Sequence, residues 1–375
     1  MIICHISSMH SHDDGRIFQR ACSGLAKAGH RVFYITTYNG TEVINGVEVI
    51  GIQKRNGIKR RIFSSFEAYK RVSRIQADIF HFHDPDLIPW MILLTLSGRK
   101  IIYDIHENYE ARVYKLPFPG RVNNLLAKVY RRLENFIINR FSGAVVVTGS
   151  MKELLSKVKK PVIVIDNLVS VNRLKNEEIE FKKNPFYTIY TSGNNTPARN
   201  CMNLIEALPF IVKDFTNVKA QFVGRYHPEN YKVQLKKRAE ELDVSEYIEL
   251  DGMLPWVENF KRTAKAHIGC VFYEDNPNNR VTLPNRLYEY MYCGVAVLGE
   301  DFPEVRRVVN DSECGLLVDS SSPKDIADKV LYLFNNPDEM IEMGHRGREA
   351  IMTKYNYETA LESLQDFYSD ILNKD

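Results

Sequence analysis

Residues 283–300 read LPNRLYEYMYCGVAVLGE, a helix that halts on a glycine and passes straight into a buried strand. Thr282 stands where an N-cap is expected, Pro284 falls in the first turn, and Asn285 to Tyr292 carry Leu287, Tyr288 and Met291 at helical spacing. Gly294 ends the helix, and Val295 to Leu298 form a short apolar strand. A helix feeding a short, continuously apolar strand is the building unit of a parallel α/β sheet. Inside the helix Glu289 has no Lys or Arg four residues on, and Asn285 lies one turn earlier on the same face. A helix start offers free N–H groups and partial positive charge, which suit a phosphate. A carboxylate one turn further in can accept two hydroxyl hydrogen bonds, as for a ribose. Thr282, Leu283 and Asn285 are therefore candidate diphosphate contacts and Glu289 a candidate ribose ligand. The competing reading is a surface carboxylate on an ordinary amphipathic helix.

Outward from this stretch the same alternation covers the chain. Residues 1–7 read as a strand, Gly15–Ala28 as a helix and 31–37 as the next strand. The loop between them, SMHSHDDGRIF, lacks G-x-G-x-x-G but keeps Gly15 and Arg16 at the helix start. Residues 41–50 predict a hairpin turning at Asn45-Gly46, and 52–76 a Lys/Arg-rich helical segment. ADIFHFHDPD (77–86) is a strand whose His81 and His83 share one face, with Asp84 and Asp86 at its C-terminal edge. Two His and two Asp are metal-ligand types, but no further cluster at ligand spacing accompanies them, so a polar cleft wall is preferred to a metal site. Residues 100–105 end in His106-Glu107-Asn108, where an imidazole either contacts a substrate or simply caps the strand.

The helix at 121–141 repeats Leu125, Leu126, Val129, Leu133, Phe136 and Ile137 at helical spacing, with Arg121, Lys128, Arg131, Arg132 and Arg140 supplying a basic part. Of two readings, a helix lying on an anionic bilayer and a core-facing helix with a solvated basic face, the second is preferred. After strands at 143–148 and 161–165, the polar stretch 172–185 reads as a linker. The second half repeats the pattern: strand 186–193, loop 194–200, helix 201–215, further strands, and three C-terminal helices. Arg199 sits just before a helix start at a strand-to-helix turn, and Arg286 near another, as diphosphate clamps would.

A chain of 375 residues suggests about two domains. It carries 44% hydrophobic and 26% charged residues, the balance of a soluble globular protein, and no apolar run long enough to span a bilayer. Nor does MIICHISS read as a signal peptide. Six scattered cysteines without C-x-x-C fit reduced thiols of a cytoplasmic protein. Residues 1–160 hold 25 basic and 13 acidic residues, the remainder 25 and 34. This asymmetry supports two bodies and leaves the basic half free to meet phosphorylated molecules or an anionic membrane face. Nucleic acid is disfavoured, because the basic half lacks interleaved aromatics.

The chain resembles the retaining glycosyltransferases of family 4, an α/β architecture of two Rossmann-like domains facing across a cleft (GT-B). The resemblance runs through DDGRIFQRACSGLAKAGHRV, ADIFHFHDPDLIP, IIYDIHENYE, SGNNTPARNCMNLIEAL, PNRLYEYMYCGVAVLGEDFPEVRRVV, ECGLLV and KYNYETALESLQDFYSDIL. It implies an N-terminal acceptor domain at 1–170, a nucleotide-sugar donor domain at 171–355, and a C-terminal helix at 356–375 packing back on the first. Glu289 matches the family's ribose-binding glutamate, Arg199 its diphosphate-neutralising base, and His106 the active-site histidine near the transferred sugar. Gly15 and Arg16 fall in the loop that approaches phosphates and acceptor, and His83, Asp84 and Glu107 on the acceptor side. Family members need no metal and no cofactor beyond the nucleotide-diphosphate sugar. Two positions depart: Val281 stands where the family carries a second glutamate, and Asn194 where it often has an arginine. The expected activity is sugar transfer to a glycan or lipid-linked glycan of surface polysaccharide, with the linker as hinge and peripheral contact at the inner membrane face left open. A nucleotide-sugar epimerase and a catalytically decayed sugar-nucleotide binder are the alternatives.

Overall fold

β-Branched and aromatic runs alternate with helices along the chain, and in the computed structural model they assemble into two sheets. The structure describes residues 1–114 and 116–373. It divides into two compact units, one of residues 1–167 with the last helix Tyr357–Asn373, the other Leu168–Asn356. The final two residues of the 356–375 segment lie outside the described residues.

The first unit holds β1 (Ile2–Ser11), β2 (Arg31–Thr37), β3 (Thr41–Ile44), β4 (Val47–Ile52), β5 (Ile79–Phe82), β6 (Ile101–Ile105), β7 (Gly143–Val146) and β8 (Val162–Val164). Their order is β3-β4-β2-β1-β5-β6-β7-β8, parallel throughout except for the edge hairpin β3–β4. That hairpin turns where the sequence predicts it: Asn45 and Gly46 both have positive φ, 50° and 79°, matching the twist of the flanking strands. The helix expected at Gly15–Ala28 starts two residues later, at Ile17. Asp14 explains the delay, because its carboxylate accepts the N–H groups of Arg16 (2.9 Å) and Ile17 (2.7 Å). The first turns are wide, with N–H bonds reaching five residues back from Gln19 to Asp14 and from Ala21 to Arg16. The last helix belongs to this unit, and Phe367 and Ile371 lie so close to Gly143 that a side chain there would meet them.

The core-facing expectation for the 121–141 segment does not hold. Helix Gly120–Ile138 buries Asn123, Glu134 and Asn135, while Leu125, Val129, Leu133 and Phe136 are exposed. The Asn123 amide N–H bonds to loop carbonyls and the Arg131 pairs with Glu110 and Glu134 turn this face inward, beside the buried Ala127 and Ile138.

In the second unit β9 (Tyr187–Asn195), β10 (Val218–Tyr226), β11 (Ile248–Asp251), β12 (Ile268–Val271), β13 (Ala296–Glu300) and β14 (Gly315–Val318) pair in the order β11-β10-β9-β12-β13-β14, all parallel. Leu204, Ile205 and Leu208 on one helix and Val330 and Leu333 on another join Ile189, Phe222 and Leu298 of the sheet in its core. Burying each such side chain is worth about 1.5–3 kcal/mol. The helix read from sequence spans Asn285–Tyr292, as expected, and Gly294 follows it at φ 63°. At the C-terminal ends of β9 and β10, Gly193 and Gly224 stand in register, both with positive φ. A Cβ on Gly224 would come within 1.8 Å of the Gly193 carbonyl oxygen, so only glycine lets the two backbones close there. All six cysteines are buried free thiols.

Candidate active site

Ligands of open parallel sheets bind beyond the C-terminal ends of the strands. In the second unit a cavity of about 730 Å³ opens at those ends. Gly193, Asn194, Gly224 and Arg225 come to it from β9 and β10; Met253 and Trp256 follow β11, and Tyr273 follows β12. Asn285, Arg286 and Glu289 come from the helix that opened the sequence reading, and Arg199 from the turn after β9. The 199 turn and the 284–289 segment, far apart in sequence, thus line one cavity.

Arg199 is carried by the tight turn Pro197–Arg199, which Asn200 closes in the left-handed conformation at φ 47°. Its guanidinium lies 3.8 Å from the centre of the Tyr273 ring. Burial, and then the neighbouring charge of Arg286, push its pKa down to about 10. Two guanidinium groups share one half-dry hollow, and no carboxylate pairs with Arg199 among the described residues. An arriving dianion relieves both penalties. Arg286 is buried, donating to Thr191 Oγ1 (3.2 Å) and to the carbonyls of Ser192 (3.3 Å) and Phe272 (2.9 Å). It ties the ends of β9 and β12 together and adds positive charge from beneath the cavity floor.

Two expected donor contacts are displaced. Thr282 does not cap the helix: its hydroxyl points back to the Asn279 carbonyl, 3.4 Å away, at the end of the turn Asn279–Val281. Pro284 occupies the flanking position, and its ring already fixes the backbone for a helix starting at Asn285. Thr282 and the buried Leu283 are both absent from the cavity wall, as is Val281. The sequence reading missed Arg225, Tyr273 and Trp256. Arg225 follows Gly224 at a strand's C-terminal edge, and the edge logic that picked out Arg199 would have found it. It pairs in register with Asn194, so it brings a cation beside the position where the resemblance expects one.

The first unit has its own cavity, of about 650 Å³, walled by His10, Arg61, His83, Asp84, Asp86, His106, Glu107, Tyr109 and Tyr130. Period-2 alternation along β5 and β6 puts His81, His83, Asp104 and His106 on one face. Asp104 escaped the sequence reading, although D-x-H beside H-x-H carries that signal. Its carboxylate binds Arg16 at 3.0 Å, and His83 Nδ1 and His106 Nε2 at 3.2 Å each. His83 Nε2 meets His5 Nδ1 at 3.0 Å, and His81 Nδ1 meets the Tyr368 hydroxyl at 2.6 Å. His83 Nδ1 and His106 Nε2 also lie 3.1 Å apart, and the carboxylate, as the strongest acceptor among them, favours the proton order in which both serve it. His83 and His106 donate to Asp104, and His5 donates to His83, which leaves His5 Nε2, like His81 Nε2, a buried nitrogen without a partner. His106 then presents Nδ1 as a hydrogen-bond acceptor. Against its own burial, Arg16 and then His106 hold the Asp104 carboxyl well below the usual range.

Arg16, expected beside the phosphates, turns inward to Asp104, Asn167 (2.7 Å) and the Ile165 carbonyl (3.1 Å). A buried carboxylate outbids the open loop for it. Gly15 is exposed, with open space where a Cβ would stand, and neither residue lines the 650 Å³ cavity. Asp84 and His83 lie on that cavity wall but are also structural: Asp84 Oδ2 accepts from Ser7 Oγ (2.6 Å) and the Ser8 N–H (2.7 Å), pinning the irregular C-terminal part of β1. His81, His83 and Asp104 bring ligand atoms within 4.8 Å of one another. A cation there would face the Arg16 guanidinium on the same carboxylate, so the donor set fits a hydrogen-bonded network better than a metal.

Burial holds His5, His81 and His83 below the ordinary 6.5. The unfolded chain therefore binds more protons than the folded one as pH drops below that value. Stability from these three groups is full above it and is lost as the pH falls below it. His267, lowered to about 4 by burial and then Lys183, acts in the same sense, and His10, raised against its burial by Asp14 and Asp84, in the opposite one. Urea unfolding at pH 7, 6 and 5 should show the midpoint falling steadily; a flat profile contradicts the assignment.

Comparison with known proteins agrees with this geometry. A family model for Glycosyltransferase Family 4 matches residues 15–173, and one for Glycosyl transferases group 1 matches residues 172–350. The chain belongs to the group 1, family 4 glycosyltransferases and has their GT-B fold of two Rossmann-like domains. A poly(ribitol-phosphate) alpha-N-acetylglucosaminyltransferase of Staphylococcus aureus is 22% identical over 64% of this chain, which spans about half (47%) of that protein. A phosphatidyl-myo-inositol mannosyltransferase of Mycobacterium leprae is 23% identical over 84% of this chain and 80% of its own length. Among solved structures, the Anabaena protein HepE in complex with UDP and glucose matches with TM-score 0.71 at 13% identity, covering 99% of this chain and 100% of that one. Among the described residues, no helix is long and apolar enough to cross a membrane.

Proposed function

We propose that this glycosyltransferase moves a sugar, with retention and without a metal ion or other cofactor, from a nucleoside-diphosphate sugar to a hydroxyl of a glycan or lipid-linked glycan in surface polysaccharide assembly. The observation that carries the reading is the 730 Å³ cavity, where Arg199, Arg225 and Arg286 bring positive charge to the start of a helix that carries Glu289 one turn in. Arg199, Arg225 and the free N–H groups from Asn285 on take the diphosphate, and Glu289 takes the ribose hydroxyls. Guanidinium groups and helix N–H groups neutralise the departing diphosphate, which is the task a divalent cation performs elsewhere. HepE's bound UDP and the sugar-transfer names of the two relatives support a nucleotide-sugar donor.

In the first unit, His106 accepts a hydroxyl of the transferred sugar through Nδ1, and His83, Asp84 and Glu107 line the acceptor side. The acceptor oxygen attacks the anomeric carbon on the face that the diphosphate leaves. The sugar–phosphate bond breaks, and the hydroxyl proton passes to the departing phosphate oxygen. Incubation with a panel of nucleotide sugars tests this: turnover to nucleoside diphosphate supports transfer, whereas an epimerised donor or binding alone replaces it. In the same panel Glu289→Ala should raise the donor KM about tenfold or more, with folding intact. An unchanged KM removes the ribose assignment.

A further inference from the structure

Arg199 owes its place to bonds made behind the cavity. The turn that carries it follows β9, and the Tyr273 ring under its guanidinium follows β12, so two separate segments must stay in register for the pair to form. A backbone bond joins them directly, from the Glu274 N–H to the Ala198 carbonyl (2.9 Å). A second connection runs through the ends of β13 and β14. Glu300, the last residue of β13, is buried, and one carboxylate oxygen accepts both the Tyr273 N–H (3.3 Å) and the Ser320 hydroxyl. The other oxygen accepts the Ser320 N–H (3.4 Å). The fully buried Ser320 Oγ in turn accepts from Asn200 Nδ2 (2.7 Å), and the Ser320 carbonyl accepts from Asn203 Nδ2 (2.8 Å). A hydroxyl donates one proton and can accept another, so this order satisfies Ser320 in both roles. The bonds close a circuit through Ala198, Glu274, Tyr273, Glu300, Ser320 and Asn200, with Arg199 held between its two ends.

We propose that Glu300 and Ser320 are positioning residues for the donor site: through Asn200 and the Tyr273 backbone they hold the Arg199 guanidinium over Tyr273 before a diphosphate arrives. Neither lines the 730 Å³ cavity, so neither touches the substrate. Burying a carboxylate is costly unless donors offset it, and burial pushes the Glu300 carboxyl up while Ser320 and the Tyr273 N–H pull it down. Because that carboxylate is occupied by these donors, it fixes Arg199 without neutralising it. Asn200 sits at φ 47°, a conformation that asparagine tolerates, and its side chain supplies a link that glycine there would lack. An arginine side chain loses much rotamer freedom when it clamps a ligand, so fixing it beforehand raises affinity without a new contact. The inference deepens the proposed function, because it rests on reading this cavity as the diphosphate site.

Calorimetry of the full chain with UDP and with GDP tests it, in a double-mutant cycle with Arg199→Ala. Ser320→Ala cuts the circuit in the middle. Asn200→Gly cuts it at one end and keeps the backbone conformation. Glu300→Gln sets an amide N–H against one of the donors that the carboxylate accepts. Each change should weaken binding of the tighter nucleotide about five- to tenfold in the parent chain and have no effect in the Arg199→Ala background. A merely structural tie between β13 and β14 gives the same loss in both backgrounds. That result, or unchanged affinity in any of the single variants, overturns the proposal. The Arg199 Nε–H proton reads the placement with no nucleotide present: the Tyr273 ring should shift its resonance in the parent chain, and each variant should return it toward the value of a free arginine. A shift that the variants leave in place overturns the proposal. If the variants abolish the shift while the parent chain binds neither UDP nor GDP, the diphosphate reading fails and the positioning of Arg199 stands.

Discussion

Replacing Arg199 by alanine should weaken nucleoside diphosphate binding about 100-fold, read by calorimetry, while the protein stays folded. The size comes from the state of the guanidinium before ligand arrives. It is half-buried, it stacks on Tyr273, and burial, with the neighbouring charge of Arg286 second, depresses its pKa to about 10. A cation held in that condition gains more from a diphosphate than a solvated surface arginine does, because much of its desolvation is already in place. Arg286 is not an equivalent target. Its guanidinium is committed to Thr191, Ser192 and Phe272, so its loss loosens the cavity floor instead of removing one contact. Equal affinity of Arg199→Ala and the parent chain would mean that the diphosphate sits elsewhere.

The second large effect is expected at Asp104, which acts through His106 and is a positioning residue. Asp104→Asn removes the charge that gathers Arg16, His83 and His106, and offers an amide N–H where a carboxylate accepted. His106 then has reason to carry its proton on Nδ1 and to lose the acceptor that the proposed mechanism gives to the sugar. Turnover should drop about 10–100-fold with donor KM little changed. The imidazole nitrogen signals of His106 should exchange character in 15N spectra. A merely structural role for Asp104 would lower stability yet leave that tautomer alone, and an unmoved tautomer with unmoved turnover refutes the assignment.

Local pattern carried the strands, the Asn45-Gly46 turn, the helix Asn285–Tyr292 and its glycine stop, since each is decided by residues within a few positions of one another. The strand-edge rule carried His83, His106 and Arg199 to cavity walls, because parallel strands deliver their C-terminal ends to one side. Helix Gly120–Ile138 was beyond that reach. Its sequence shows an apolar stripe, but Asn123 and Arg131 find their partners inside the protein, and that leaves the stripe outside. Arg16 likewise reads as a loop cation until Asp104, 88 residues on, is brought within 3.0 Å of it. Thr282 reads as a cap until Pro284 sets the helix start. The amino-acid order by itself determined the elements, their parallel arrangement and the chemistry of the candidate groups. Only the tertiary structure decided which of those groups are already spent on one another and which still face a cavity, because that depends on partners far away in the chain.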